Sequence, residues 1–255
     1  MMKTFNEFIT NKQLCEPRLP LLHTCDAFGF RSIIGTKTLL PAPCQVFDGE
    51  MLIYFFYGRP AYRTSAGNVQ TLISAFMPIS IVLKNETINT PKRISPFDTG
   101  AFHEGLFAQH LHPNMKIEDF FVTPSMDMPQ RIVNFFFGSN INYFRGKPRH
   151  VDIPPLEFEV SCYYSLIGET ANLPFDDRCS AIEIQSQESV ELTQDNVLLV
   201  VLPTIFMDDP KVNETICKVW NAQVETYSIH RGDPKEYVGF IYNAVEQFLT
   251  EKGYM

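Results

Sequence analysis

The chain has 255 residues and a formal net charge of −8, with 45% hydrophobic and 20% charged residues. That composition supports a sizeable core and excludes a disordered chain, and the acidic balance argues against a uniformly basic nucleic-acid surface. The longest apolar runs, near 197–206 and 72–83, fall short of the roughly 20 residues a bilayer span needs.

In chain order, MMKTFNEFITNKQ has no apolar stretch of signal-peptide length and reads as a short helix, with an extended lead-in closed by Pro17 and Pro20. Leu21 to Thr24 is an apolar strand that ends on two polar groups. Asp26 is an N-cap for a helix to Ile34, with Gly35 as its stop. Thr38 to Leu40 runs into a Pro41/Pro43 loop, and Met51 to Tyr57 is an aromatic strand. Ala75 to Leu83 reads as a buried strand interrupted by Pro78. Residues 86–150, rich in Pro, Phe and His, read as long loops over a sheet, within which Arg131 to Phe137 fits helix or strand. Glu157 to Tyr164 and Ala181 to Gln185 alternate in strand fashion, and Val197 to Leu202 is a β-branched run. Asp208-Asp209-Pro210 opens a helix. Tyr237 to Leu249 carries apolar residues at helical spacing. Short strands with a helix near each end predict an α+β fold, as one domain over residues 1–255.

Six cysteines without a Cys-x-x-Cys pair read as free thiols of a reducing cytoplasm, and a cytoplasmic location away from membranes is expected. The Asn-Glu-Thr sequences at Asn85 and Asn213 read as chance matches to the glycosylation pattern. Three segments carry the candidate chemistry. In LLHTCD, His23 and Thr24 sit at a strand end, where His23 either faces a cleft or satisfies a backbone group. In YFFYGRPAY, Arg59 lies in a Gly-Arg-Pro turn between Tyr57 and Tyr62. A guanidinium there suits phosphate or carboxylate, and the two tyrosines suit a planar ring. In RCSAIEIQS, Glu183 and Gln185 share one side of a strand and Ile182 and Ile184 the other, so Glu183 faces either solvent or a cleft. FHEGLFAQHLHPN offers His103, His110 and His112 as metal ligands, and PFDTGAF reads as a tight turn around Asp98 and Gly100.

The ordered set LLHT, YFFYGRPAY and RCSAIE resembles the ADP-ribosyltransferase superfamily of His–Tyr–Glu type, in particular its DarT-like toxins and phage-defence relatives. The resemblance covers about a third of the chain, in pieces. It implies an ADP-ribosyltransferase-like split mixed β-sheet with flanking helices, and NAD as a substrate. ADP-ribose would pass to a nucleic acid or, less favoured, a protein. An antitoxin or chaperone partner follows by analogy. Residue by residue, His23 would hold a ribose of NAD with Thr24 in support, and Tyr57 or Tyr62 would stack on nicotinamide. Arg59 would contact the pyrophosphate or the acceptor. Glu183 would bind the ribose 2′-hydroxyl and stabilise an oxocarbenium-like transition state. No metal is implied. The competing readings are a metal-dependent hydrolase built on His103, His110 and His112, and a non-catalytic NAD-binding module.

Overall fold

The computed structural model describes residues 3–61, 70–168 and 177–255. Its centre is a mixed sheet in the order β10-β9-β5-β1-β4-β7-β6, made of β1 (Leu21–Asp26), β4 (Met51–Tyr57), β5 (Pro78–Leu83), β6 (Arg93–Ser95), β7 (Glu183–Ser186), β9 (Val197–Pro203) and β10 (Gln223–Tyr227). β10 runs parallel to β9, and the other neighbours along this path are antiparallel. The short β3 (Ala42–Pro43) pairs with β4, and β2 (Thr38–Leu39) pairs with β8 (Val190–Glu191) beside the main sheet. This is the α+β class expected.

The pleat sorts the sheet into two faces. Leu21, Phe55, Ile79, Ile81, Ile184 and Val200 enter one large core, which they share with α1 (Phe5–Thr10), α2 (Ala27–Thr36), α4 (Asp127–Phe137) and α6 (Phe158–Gly168). The alternate residues Leu22, Val82, Leu199 and Val201 meet Ile241, Val245, Phe248 and Leu249 of α8 (Val238–Glu251) on the other face. α8 therefore covers the β1-β5-β9 half of that face.

Several boundaries moved for physical reasons. α2 begins where expected, with Asp26 accepting from Gly29 N at 2.8 Å, but it runs past Gly35 to a left-handed C-cap at Lys37. β5 starts at Pro78, because proline is tolerated at the first residue of a strand; Ser74–Phe76 before it is a 3₁₀ turn. The strand expected over Glu157 to Tyr164 is instead α6. Its buried residues Val160, Tyr163, Leu166 and Ile167 recur at three- and four-residue steps, and that period outweighs the local alternation. The stretch read as long loops contains α3 (Thr99–His103), α4 and α5 (Asn140–Phe144). Asn85 is buried, with its amide donating to Leu19 O, so that Asn-Glu-Thr is a packing feature.

The break after β4 has a steric cause. Gly58 has φ +67°, and a Cβ there would lie 2.4 Å from Leu19 Cδ1. Its N–H donates to Pro20 O at 2.8 Å, which ties the turn to the lead-in of β1. Gly58→Ala combines a left-handed penalty with overpacking against Leu19. It is expected to cost roughly 2–4 kcal/mol, read as a lowered urea midpoint at unchanged m.

The sheet also parts along its middle. β1 and β4 pair only at Leu21↔Tyr57 and Leu22↔Phe56, whereas β1 pairs with β5 from Leu21 to Asp26. From His23 onward β1 belongs to the β5-β9-β10 half, and the N-terminal part of β4 belongs to the β7-β6 half.

Candidate functional site

Register places the candidate carboxylate beside this parting. Phe56 stands opposite Glu183 and Tyr54 opposite Gln185. On the far side of β7, Ser95 and Arg93 of β6 face the same two residues. Glu183, Gln185, Tyr54, Phe56, Arg93 and Ser95 thus share the face that carries Leu22 and Thr24 on β1. The strand expected from alternation is there, but Glu183 does not face solvent: it is 2% exposed.

A buried carboxyl must be satisfied locally, and this one is. Thr99, the first residue of α3, donates its Oγ1–H to Glu183 Oε1 at 2.7 Å and its N–H to Oε2 at 3.1 Å. Gln185 Nε2 donates to Glu183 Oε1 at 2.6 Å and to Thr99 Oγ1 at 3.2 Å. The other end of that amide accepts from Arg93 Nη1 at 2.6 Å. Arg93 is in turn paired with Glu50 and lies 3.8 Å over the Phe47 ring. Asp98 caps α3 by accepting from Ala101 N at 2.7 Å, so the Asp-Thr-Gly turn of the sequence is the element that grips Glu183.

Burial pushes the Glu183 carboxyl up from 4.5 to about 8, and the Asp98 charge adds to the rise; the Gln185 and Thr99 hydrogen bonds oppose it. The consequence for stability has a definite sign. Between about 4.5 and 8 the folded chain keeps a proton on Glu183 that the unfolded chain releases. Stability from this group is then fully present below about 4.5 and is lost as pH rises towards 8. The slope attributable to Glu183 is at most about 1.4 kcal/mol per pH unit. Urea unfolding at pH 5, 6, 7 and 8 should show the wild type losing stability relative to Glu183→Gln over this range. Parallel curves would contradict it.

The remaining sequence candidates fall in different places. Thr24 lies on the face of Glu183, and its hydroxyl pairs with Ser80 Oγ at 3.0 Å. His23 has the opposite parity, opposite Ile81, and its ring packs 5.9 Å from Phe55. Its Nδ1 lies 3.0 Å from Tyr54 O, where the two strands part. A carbonyl only accepts, so Nδ1 carries the proton and the neutral ring keeps a lone pair on Nε2; burial lowers the ring's pKa and favours that neutral form. Of the two sequence readings of His23, the observed contact is the one that satisfies a backbone group, made where β1 and β4 part.

Arg59 and Tyr57 are engaged elsewhere. Arg59 is 3% exposed. It donates Nη1 to Ser180 Oγ at 2.6 Å and Nη2 to Asp177 Oδ2 at 2.7 Å, and stands 5.4 Å over the Tyr143 ring. Tyr242 of α8 donates its hydroxyl to the same Asp177 oxygen. Tyr57 has no exposed surface: its hydroxyl accepts from Leu19 N at 2.9 Å and its carbonyl accepts from Tyr143 Oη at 2.8 Å. The expected dinucleotide contacts of these two residues meet side chains whose polar groups face the protein interior. Tyr62 lies outside the described residues.

Among the described residues, no three His, Cys, Asp or Glu side chains converge as a metal site. His110 pairs with Gln109 at 3.0 Å, and His112 Nδ1 accepts from Asn114 N at 3.2 Å in a local turn. The two histidines of His-Leu-His, His110 and His112, do not lie on a strand. No helix among the described residues is long and apolar enough to cross a membrane.

Sequence reasoning passed over Thr99, Arg93, Glu50 and Tyr54. Tyr54 Oη lies 2.7 Å from Cys44 Sγ, which also accepts from the N–H groups of Val46 and Phe47. Asp-Thr-Gly was a visible signal for Thr99; the other three had none.

No family model matches the chain, and no curated protein matches its sequence. The site stands on its own geometry: a buried, three-donor carboxyl at the edge of a parted sheet, with a neutral imidazole on the strand across the gap.

Proposed function

We propose that the protein is an NAD-dependent mono-ADP-ribosyltransferase that modifies a macromolecular acceptor, nucleic acid in preference to protein. On this reading the sheet is of the ADP-ribosyltransferase-like split type. The observation that carries the reading is the position of Glu183. It lies on the strand next to β4, where β4 leaves β1, and on the same face as Thr24, in the chain order that the resemblance implies.

The chemistry uses these groups as follows. Cleavage of the bond between nicotinamide and C1′ leaves the electron pair on the departing ring and positive charge on the ribose. An ionised Glu183 beside that ribose stabilises the charge, and the same carboxylate takes the proton of the acceptor oxygen or nitrogen as it attacks C1′. Thr99 and Gln185 fix the carboxylate, so no reorganisation is needed as charge develops. His23 Nε2 keeps a lone pair that can accept from a ribose hydroxyl reaching into the parting between β1 and β4, while Thr24 supports the site from the Glu183 face. Arg59 holds the Asp177–Ser180 segment that leads into β7, a positioning role. The biological setting that goes with this activity is a cytoplasmic bacterial toxin or anti-phage effector neutralised by an antitoxin or chaperone.

The test is nicotinamide release from NAD by the purified protein, with RNA, DNA and protein added in turn. Release stimulated by one acceptor class supports the reading and names the acceptor. NAD binding without release under every condition would replace it with a non-catalytic module.

A further inference from the structure

Gln185 is placed between two charged groups with both ends of its amide committed. Its oxygen meets Arg93 Nη1 at 2.6 Å, and its nitrogen serves Glu183 Oε1 at 2.6 Å and Thr99 Oγ1 at 3.2 Å. An amide can rotate by half a turn at almost no cost in shape, and the reversed form would aim its oxygen at the Glu183 carboxyl. A guanidinium has only donors, so Arg93 permits only the orientation that gives Glu183 a hydrogen-bond donor. Arg93 is itself held, by its ion pair with Glu50 from one side and by the Phe47 ring from the other.

We propose that Arg93 is a positioning residue which, through the orientation of the Gln185 amide, sets the protonation equilibrium of Glu183 and so the pH at which the candidate site works. The inference rests on the transferase reading for its meaning but not for its test. Glu50 cancels most of the charge of Arg93 at a distance, so the effect runs through the amide and not through the field of a free cation. Among the described residues, the groups that face Glu183 are Asp98 and Thr99 at the start of α3, Gln185 on its own strand, and Tyr54 on β4, whose phenol pKa is pushed up by burial first, then by its Cys44 hydrogen bond and by the Glu183 charge. Arg93 and Glu50 reach it through Gln185, and Cys44 reaches it through Tyr54.

The experiment is a titration of the Glu183 carboxyl by carbon NMR in the folded protein, assigned by its loss in Glu183→Gln. In Arg93→Met the midpoint should rise by about one pH unit, a tenfold change in proton affinity, because the amide is free to reverse. Arg93→Lys retains the cation but cannot hold Glu50 and Gln185 with one fork, and serves if the methionine variant does not fold; it should give a smaller rise of the same sign. Glu50→Gln keeps the contact between Arg93 and Gln185, and its midpoint should stay within about 0.3 of the wild type. An unmoved midpoint in both Arg93 variants overturns the proposal. So does a fall in Glu50→Gln that mirrors the rise in Arg93→Met, which would mean a simple charge effect. None of these outcomes depends on enzymatic activity, so the proposal can fail while the transferase reading stands, and the reverse.

Discussion

Glu183→Gln should lower acceptor-dependent nicotinamide release by roughly 10²–10⁴-fold, the range typical for loss of a positioned acid–base group. The substitution is nearly isosteric, and the wild-type carboxyl is held neutral by burial up to about pH 8 in the free protein. The variant therefore changes little in the charge of the folded site before substrate binds; at pH 5, where Glu183 has lost little of its contribution, its Tm should move by only a few degrees, and the variant should gain on the wild type as pH rises towards 8. A large loss of rate with a preserved Tm separates chemistry from folding. The pH profile adds an independent sign. Ionised Glu183 is the active form, so kcat/KM, which reports the free protein, should rise with pH up to about 8. The positive nicotinamide ring favours the ionised form in the complex, so the kcat limb should lie lower. Equal rates for wild type and Glu183→Gln would remove the carboxylate from the chemistry.

Arg59→Met should be strongly destabilising. Arg59 is buried but its partner Asp177 is 31% exposed, so the carboxylate left behind is partly solvated and the loss falls below that of a fully buried pair, at about 2–4 kcal/mol. Here Asp177 would lose its guanidinium and keep only the Tyr242 hydroxyl among these two donors, and the stacking on Tyr143 would go as well. In a chain of this size the loss corresponds to a fall in Tm of roughly 4–16 °C. Asp177→Asn in the Arg59→Met background should recover part of it, because the stranded charge is then gone. A wild-type Tm in Arg59→Met, with NAD affinity reduced, would restore the ligand role expected from the sequence.

Local signals revealed those parts of the fold that local physics determines. β1, β4 and β9 are dense apolar or β-branched runs, the start of α2 follows from Asp26, and α8 from its period, so all five were readable. α6 was misread because EFEVSCYY alternates over a few residues while its helical period needs a longer window. Glu183 and Gln185 were placed on one side of a strand correctly, yet nothing nearby in sequence distinguishes a carboxylate facing water from one enclosed by a helix start 84 residues earlier. Arg93 and Glu50 are 43 residues apart and meet only in the folded chain. The Gly-Arg-Pro turn carries two meanings that sequence does not separate. Its glycine is required by Leu19, and its arginine has interior partners in Asp177 and Ser180 that lie more than a hundred residues away in the chain.

The strand order has a consequence for synthesis. β4, with its run of four aromatic residues, leaves the ribosome long before the strand that completes it, and Arg59 precedes its Ser180 partner by 121 residues. At about 5–20 residues per second that interval lasts roughly 6–24 s. During it the nascent chain carries an apolar strand with one side almost unpaired, the kind of edge that recruits foreign strands. A chain that stops before residue 183 also lacks its carboxylate. Premature termination would thus yield a sticky and inert fragment, and any holding factor that helps this protein to mature would do most good while β4 stands alone.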